Sequence, residues 1–218
     1  SLIFDFDGLI LETEAIAYKV MQDLFTDYGL ELKWEAWSQI IGGSGGRFNM
    51  YAHLEALHGR PLDKEALRSG VRARHWELVQ SLDLLPGVID YIQNGFAMSL
   101  ELGIASSSPR EWVVGHLDQR GLTKYFKVIK TRSEIPRTKP SPDLFAAALD
   151  GLGVASDQAI ALEDSPNGVT SAQAAGIFCV AVPNQITMHL DLSHADLMVP
   201  SLAEMPLSQL IAHVEGSR

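Results

Sequence analysis

Ala159-Ile160-Ala161-Leu162-Glu163-Asp164-Ser165-Pro166-Asn167-Gly168 packs a change of secondary structure into one short stretch. Ala159–Leu162 is a short apolar run of the kind that forms a buried strand. It runs into two carboxylates. Ser165-Pro166 then starts a helix, with Ser as the cap and Pro at the first helical position. That helix is expected to end at Gly176. A buried strand followed by a capped helix is half of a βαβ unit.

Working outward, the same device recurs. Glu101–Ser106 reads as a strand, and Ser108-Pro109-Arg110-Glu111 has the spacing of a complete capping box. Val128–Thr131 reads as a strand before Ser141-Pro142, a second cap-plus-Pro start. Phe178–Val182 and a short segment near 196–199 complete the strands after 85, and a helix is expected over 87–99. At the other end of the chain, Leu2–Phe6 is a short apolar run with an Asp inside it. Strands alternating with helices of this length predict an α/β fold, a doubly wound parallel sheet.

Residues 13–82 have a different texture. Thr13-Glu14 opens a run with Ile16, Val20, Leu24 and Phe25 at helical spacing, broken by Gly29. Further helical stretches are expected near 33–40, 46–58 and 63–80. The chain therefore divides into an α/β core, residues 1–12 and 83–218, and a helical insertion, residues 13–82, with hinges near Leu9–Thr13 and Asp83–Gly87.

Composition bounds the function. The chain has 218 residues, 46% of them hydrophobic, which excludes intrinsic disorder and allows a core with one inserted domain. A net charge of −10 without a dense Lys/Arg cluster argues against nucleic acid and anionic membrane as partners. The single Cys179 excludes an internal disulfide framework and a multi-thiolate zinc site, and reads as an inert thiol buried in a strand. No apolar run approaches the roughly 18–20 residues of a membrane helix. Ser1 leads straight into a strand, so no secretory leader is expected. A cytoplasmic monomer acting on a small molecule is the expectation.

In open α/β sheets, ligands bind beyond the carboxyl ends of the strands. Those ends carry Asp5 and Asp7, then Ser106-Ser107-Ser108, then Lys139, then Glu163-Asp164. Carboxylates without His or thiolate partners suit a hard cation such as Mg²⁺. Hydroxyls, helix N-termini and a lysine suit phosphate oxygens. The Gly42–Gly46 stretch lacks the Gly-Lys-Ser/Thr ending of a phosphate loop and reads as a flexible loop of the insertion. The tryptophans, Trp112 among them, read as packing residues, and the histidines as structural.

Phe4-Asp5-Phe6-Asp7-Gly8, Ile104–Ser108, Lys139-Pro140-Ser141-Pro142-Asp143 and Leu162–Ser165, in this order, resemble the haloacid dehalogenase superfamily. The nearest branch is that of the phosphatases and β-phosphoglucomutases with a helical cap. The resemblance covers essentially the whole chain. It implies that Asp5 is a nucleophile forming an aspartyl-phosphate and that Asp7 is first acid and then base. It implies Mg²⁺ held by Asp5, the backbone carbonyl of Asp7, Glu163 and Asp164. Ser106, Ser107 and Lys139 would hold the phosphoryl group, with Thr13 and Arg47 near the substrate. The implied activity is hydrolysis of a small phosphorylated metabolite such as a sugar phosphate.

Departures sharpen this expectation. Asp7 argues for phosphate over carbon–halogen chemistry, since the dehalogenases lack the second Asp. β-Phosphoglucomutases carry a His where this chain has Ala17 and an Arg where it has Gly45, so a hydrolase is favoured over a mutase. A phospho-aspartate receiver is the alternative from another class, but receivers are about half this length and lack a helical insertion.

Overall fold

The computed structural model describes residues 1–41 and 48–217. Six strands, β1 (Leu2–Phe4), β2 (Leu102–Ser106), β3 (Val128–Thr131), β4 (Ile160–Glu163), β5 (Phe178–Ala181) and β6 (Leu197–Met198), form one sheet in the order β3-β2-β1-β4-β5-β6. Every pairing is parallel, with Leu2 opposite Leu102 on one side and Ile160 on the other. The predicted doubly wound sheet is therefore present, and β1 lies inside it.

Residue alternation builds two cores from one sheet. Leu2, Phe4, Ile104, Leu162 and Val180 face one apolar cluster, shared with α5 (Val88–Ala97), α6 (Arg110–Gln119) and α9 (Leu207–Gly216). Ile3, Ala105, Ala161, Cys179 and Ala181 face the other, shared with α7 (Asp143–Leu152) and α8 (Pro166–Ala174). Small sheet residues on this second face leave room for Leu144, Phe145 and Leu149 to pack against it.

Between β1 and α5 the chain forms α1 (Thr13–Asp27), α2 (Trp34–Trp37), α3 (Met50–His58) and α4 (Lys64–Gln80). A third apolar cluster holds α1, α2 and α3 together through Met21, Phe25, Trp37, Met50 and Leu54, and Ile186 of the sheet region joins it. The exit of α4 is tied to α6: the Arg120 guanidinium donates to the carbonyls of Val79 (3.0 Å) and Leu82 (2.8 Å).

Several expectations need correction. Strand β1 stops at Phe4, two residues short of the expected end, because the chain turns away there. Helix α2 is a single turn, and α3 begins at Met50 rather than 46. Helix α9 was not anticipated, although Leu207, Leu210, Ile211 and Val214 have helical spacing after Pro206. Of the three Ser-Pro starts, only Ser165 caps its helix, accepting the Gly168 N–H at 3.1 Å. Pro109 and Pro142 themselves stand at the cap positions of α6 and α7, which have no side-chain cap. Ser133 Oγ accepts the Arg110 N–H instead, and Ser108 turns its hydroxyl elsewhere.

Candidate active site

Asp5 follows β1, and its N–H still bonds to Leu162 O (2.9 Å), so the backbone fixes the first carboxylate at the end of the central strand. Its side chain is buried, 6% exposed. The chain then turns at Gly8, whose φ of +80° is costly for other residues. A Cβ at Gly8 would also lie 2.2 Å from Asp164 Oδ2, so glycine alone lets this loop pass so close to the acid at the end of β4.

Lys139 lies between two of the acids. Its ammonium donates to Asp5 Oδ1 and to Glu163 Oε1, the latter at 2.5 Å, and it is 4% exposed. Burial alone would lower the ammonium's pKa, but the two carboxylates hold it above its ordinary value. The other oxygen of Glu163 accepts from the Asp164 N–H, the Ser165 N–H and Ser165 Oγ at 3.1–3.3 Å. Glu163 packs against Gly168, where a Cβ would come within 1.9 Å of its carboxyl group.

Asp164 is anchored by a residue that the sequence reading did not single out. Asn184 Nδ2 donates to Asp164 Oδ2 (2.7 Å) and to Gly8 O (3.0 Å). Its own Oδ1 accepts the N–H groups of Ile186 (2.8 Å) and Thr187 (2.9 Å), which locks the amide orientation. The Pro183-Asn184 turn is the only sequence signal for it.

Carboxylate oxygens of Asp5, Glu163 and Asp164 lie within 4.8 Å of one another, all buried. One ammonium cannot neutralise three carboxylates. Burial first, and then Glu163 and Asp7, push the Asp5 carboxyl up to about 8 against the pull of Lys139. Asp164 is likewise raised, by burial and then by Asp5 and Glu163. An all-oxygen, charge-rich, buried donor set of this kind fits a hard divalent cation.

Asp7 has different company. Thr13 Oγ1 (2.9 Å) and Trp112 Nε1 (2.8 Å) donate to its Oδ1, and Ser108 Oγ (2.5 Å) donates to its Oδ2. The two aspartates thus sit in opposed settings, one against an ammonium and acids, the other among neutral donors. Environments that diverge in this way allow two carboxyls to take different roles.

A cavity of about 420 Å³ opens over these groups. Asp5, Asp7, Thr13, Ser107, Lys139 and Asp164 line it, so the structure brings most of the expected residues to one space. Ser106 and Glu163 stand behind the wall, each fully buried. Ser106 Oγ accepts the Ser108 N–H (3.1 Å), whereas Ser107 Oγ is buried without a hydrogen-bond partner. Thr13 is 2% exposed and serves Asp7. Arg47 and the Gly42–Gly46 loop lie outside the described residues. The reading of Trp112 as packing alone is corrected, since its indole reaches Asp7. Glu14, also unanticipated, borders the cavity, and burial, then Asp7 and Glu12, push its carboxyl up to about 7.

A parallel 3-2-1-4-5-6 sheet with acids, lysine and serines at its strand ends defines a doubly wound α/β protein with its polar site at the carboxyl ends of the strands. Residues 2–182 match the family model described as haloacid dehalogenase-like hydrolase, and the chain belongs to that family. It is 40% identical over 216 residues to the putative phosphatase YhcW of Bacillus subtilis, covering 99% of this chain and 98% of that one. It is 33% identical over 212 residues to protein CbbY of Rhodobacter capsulatus, 93% of each. Among solved structures it superposes on CbbY from Rhodobacter sphaeroides in complex with xylulose-(1,5)bisphosphate. The TM-score is 0.79 and the identity 27%, over 96% of this chain and 97% of that one. With this membership and these relatives, the chain is a phosphoric monoester hydrolase.

Proposed function

We propose that the chain hydrolyses a small phosphorylated metabolite, such as a sugar phosphate, in two steps through an ester of phosphate with Asp5. The observation that carries this is Lys139, buried between Asp5 and Glu163 beside Asp164 at the floor of one cavity. Asp5 attacks phosphorus, and the bond to the leaving oxygen breaks as Asp7 gives that oxygen its proton. A water then attacks phosphorus and gives its proton to Asp7, and the bond from phosphorus to Asp5 breaks. Inorganic phosphate leaves and both carboxyls return to their starting states.

Lys139 through its ammonium, and Ser107 through its hydroxyl or backbone N–H, hold the phosphoryl oxygens in this scheme, with Ser106 joining them from behind the wall. Asp5, Asp164 and the backbone carbonyl of Asp7, with Glu163 behind, would hold Mg²⁺, which supplies positive charge against the acids and the phosphoryl group. Residues 13–82 act as a cap over a catalytic body formed by 1–12 and 83–218, excluding water from the reaction. Helices α1 and α4 support this by bringing Ala17 and His75 to the cavity. Ala17 also favours hydrolysis over phosphoryl shuttling, because a methyl group stands where the mutases carry histidine. A monomer in the cytoplasm completes the reading; among the described residues no helix is long and apolar enough to cross a membrane.

The test is release of p-nitrophenol from p-nitrophenyl phosphate with Mg²⁺. Activity should vanish on chelation and return with the metal, and Asp5→Asn should lower kcat by about 10³-fold or more. An inactive native protein, or Asp5→Asn at full rate, refutes the scheme.

A further inference from the structure

The three donors around Asp7 are not equivalent. Thr13 and Ser108 offer hydroxyls, which donate or accept as they rotate. The indole of Trp112 donates only. Its N–H lies 2.8 Å from Oδ1, and Thr13 Oγ1 lies 2.9 Å from the same oxygen. The indole therefore holds Oδ1 as its acceptor whichever way the hydroxyls turn. Among the described residues, Oδ2 bonds to the Ser108 hydroxyl, at 2.5 Å.

Trp112 is itself gripped by helix α4. The His75 ring of α4 stacks on it, with centroids 4.9 Å apart and planes at 25°. Trp76 meets it edge-on at 5.3 Å. Gly115 on α6 permits that approach, since a Cβ there would stand 3.0 Å from Trp76 Cη2. His75 Nε2 also reaches the Thr13 carbonyl at 3.1 Å. One side chain of α4 therefore touches both residues that donate to Oδ1.

We propose that Trp112 is a positioning residue that fixes the orientation of the Asp7 carboxyl through Oδ1, with His75 holding Trp112 and Thr13 in that posture. The proposal rests on the acid–base role given to Asp7 above. The indole N–H and the Thr13 hydroxyl meet at one oxygen, which sets the plane of the carboxyl. Without the indole, the carboxyl can turn about its side-chain torsions, and only one rotamer of the acid is productive.

The experiment compares kcat/KM for p-nitrophenyl phosphate and phenyl phosphate in the Mg²⁺-loaded native protein, Trp112→Phe, Asp7→Asn and the double variant. Phenolate is the poorer leaving group and depends more on the proton. Trp112→Phe should lose about 10-fold on p-nitrophenyl phosphate and about 100-fold on phenyl phosphate, with KM changed less than about 2-fold. In the Asp7→Asn background it should add no further loss, because the group it positions is gone. Equal losses on both substrates, or full additivity with Asp7→Asn, overturn the proposal. Full activity in Asp7→Asn overturns the acid–base reading and the proposal with it, whereas a large loss there with none in Trp112→Phe overturns the proposal alone. Should Trp112→Phe melt well below the native protein, His75→Phe decides: it keeps a ring but drops the bond to Thr13, and must show the same steeper dependence on the leaving group or the proposal fails.

Discussion

Asn184 shows how much of an acidic site is set by residues that are not acids. Its amide fixes the position of Asp164 and satisfies the Gly8 carbonyl on the turn that carries Asp7. Loss of a partner that orients a metal-binding carboxylate weakens cation affinity about 10- to 100-fold. Asn184→Ala should therefore raise the Mg²⁺ concentration at half-maximal activity by at least ~10-fold, while kcat at saturating metal falls much less. A titration with unchanged half-saturation would show that Asp164 is placed by the backbone alone. At this scale the acids, the lysine and the serines were legible as polar residues stranded at the ends of apolar runs. Asn184 was not, because an Asn after Pro is ordinary turn chemistry and its partner lies 20 residues back in the chain.

Among the elements, the Ser-Pro pairs teach how local signals divide. Ser165 is a true cap, and its hydroxyl also donates to Glu163. Ser108 looks identical in sequence, yet its hydroxyl serves Asp7, and α6 starts one residue later with Ser133 supplying an acceptor. Capping fixes a helix end only when no stronger partner competes, and a nearby carboxylate is such a partner. Ser165→Ala should cost about 1 kcal/mol of stability through the lost cap. Ser108→Ala should leave the unfolding midpoint close to native yet reduce turnover, measured by urea titration alongside phosphate release. The reverse ranking of midpoints would restore the capping-box reading. The strands were legible because continuous apolar runs between turn residues have few other solutions. Helix α9 has an equally clear pattern, though no chemistry marks it, whereas β1 ends early because the chain turns back through Gly8, where the Ile10 N–H bonds to Phe6 O.

For the molecule as a whole, one contribution to acid sensitivity is expected from a histidine far from either terminus. His116 is fully buried among Phe6, Trp76 and Trp112. Burial, and then Arg120, push its pKa from 6.5 down to about 4. The unfolded chain therefore takes up a proton between those values that the folded chain refuses. Stability from this group is complete above about 6.5 and declines as the pH falls toward about 4, at no more than ~1.4 kcal/mol per pH unit. In His116→Leu the urea midpoint should drop less between pH 6.5 and pH 4.5 than in the native protein. Parallel declines would locate the acid sensitivity elsewhere.

The order of the sheet has a bearing on how the polypeptide is born. Its opening strand is a central one, and neither hydrogen-bonding edge of that strand meets its neighbour until residues 102 and 160 have been synthesised. During translation this strand must wait, bare on both sides, until the chain through residue 160 follows. Burying Asp5 between its flanking strands thus waits on two distant segments, and β1 is a stretch that gains from a chaperone's shelter until they arrive.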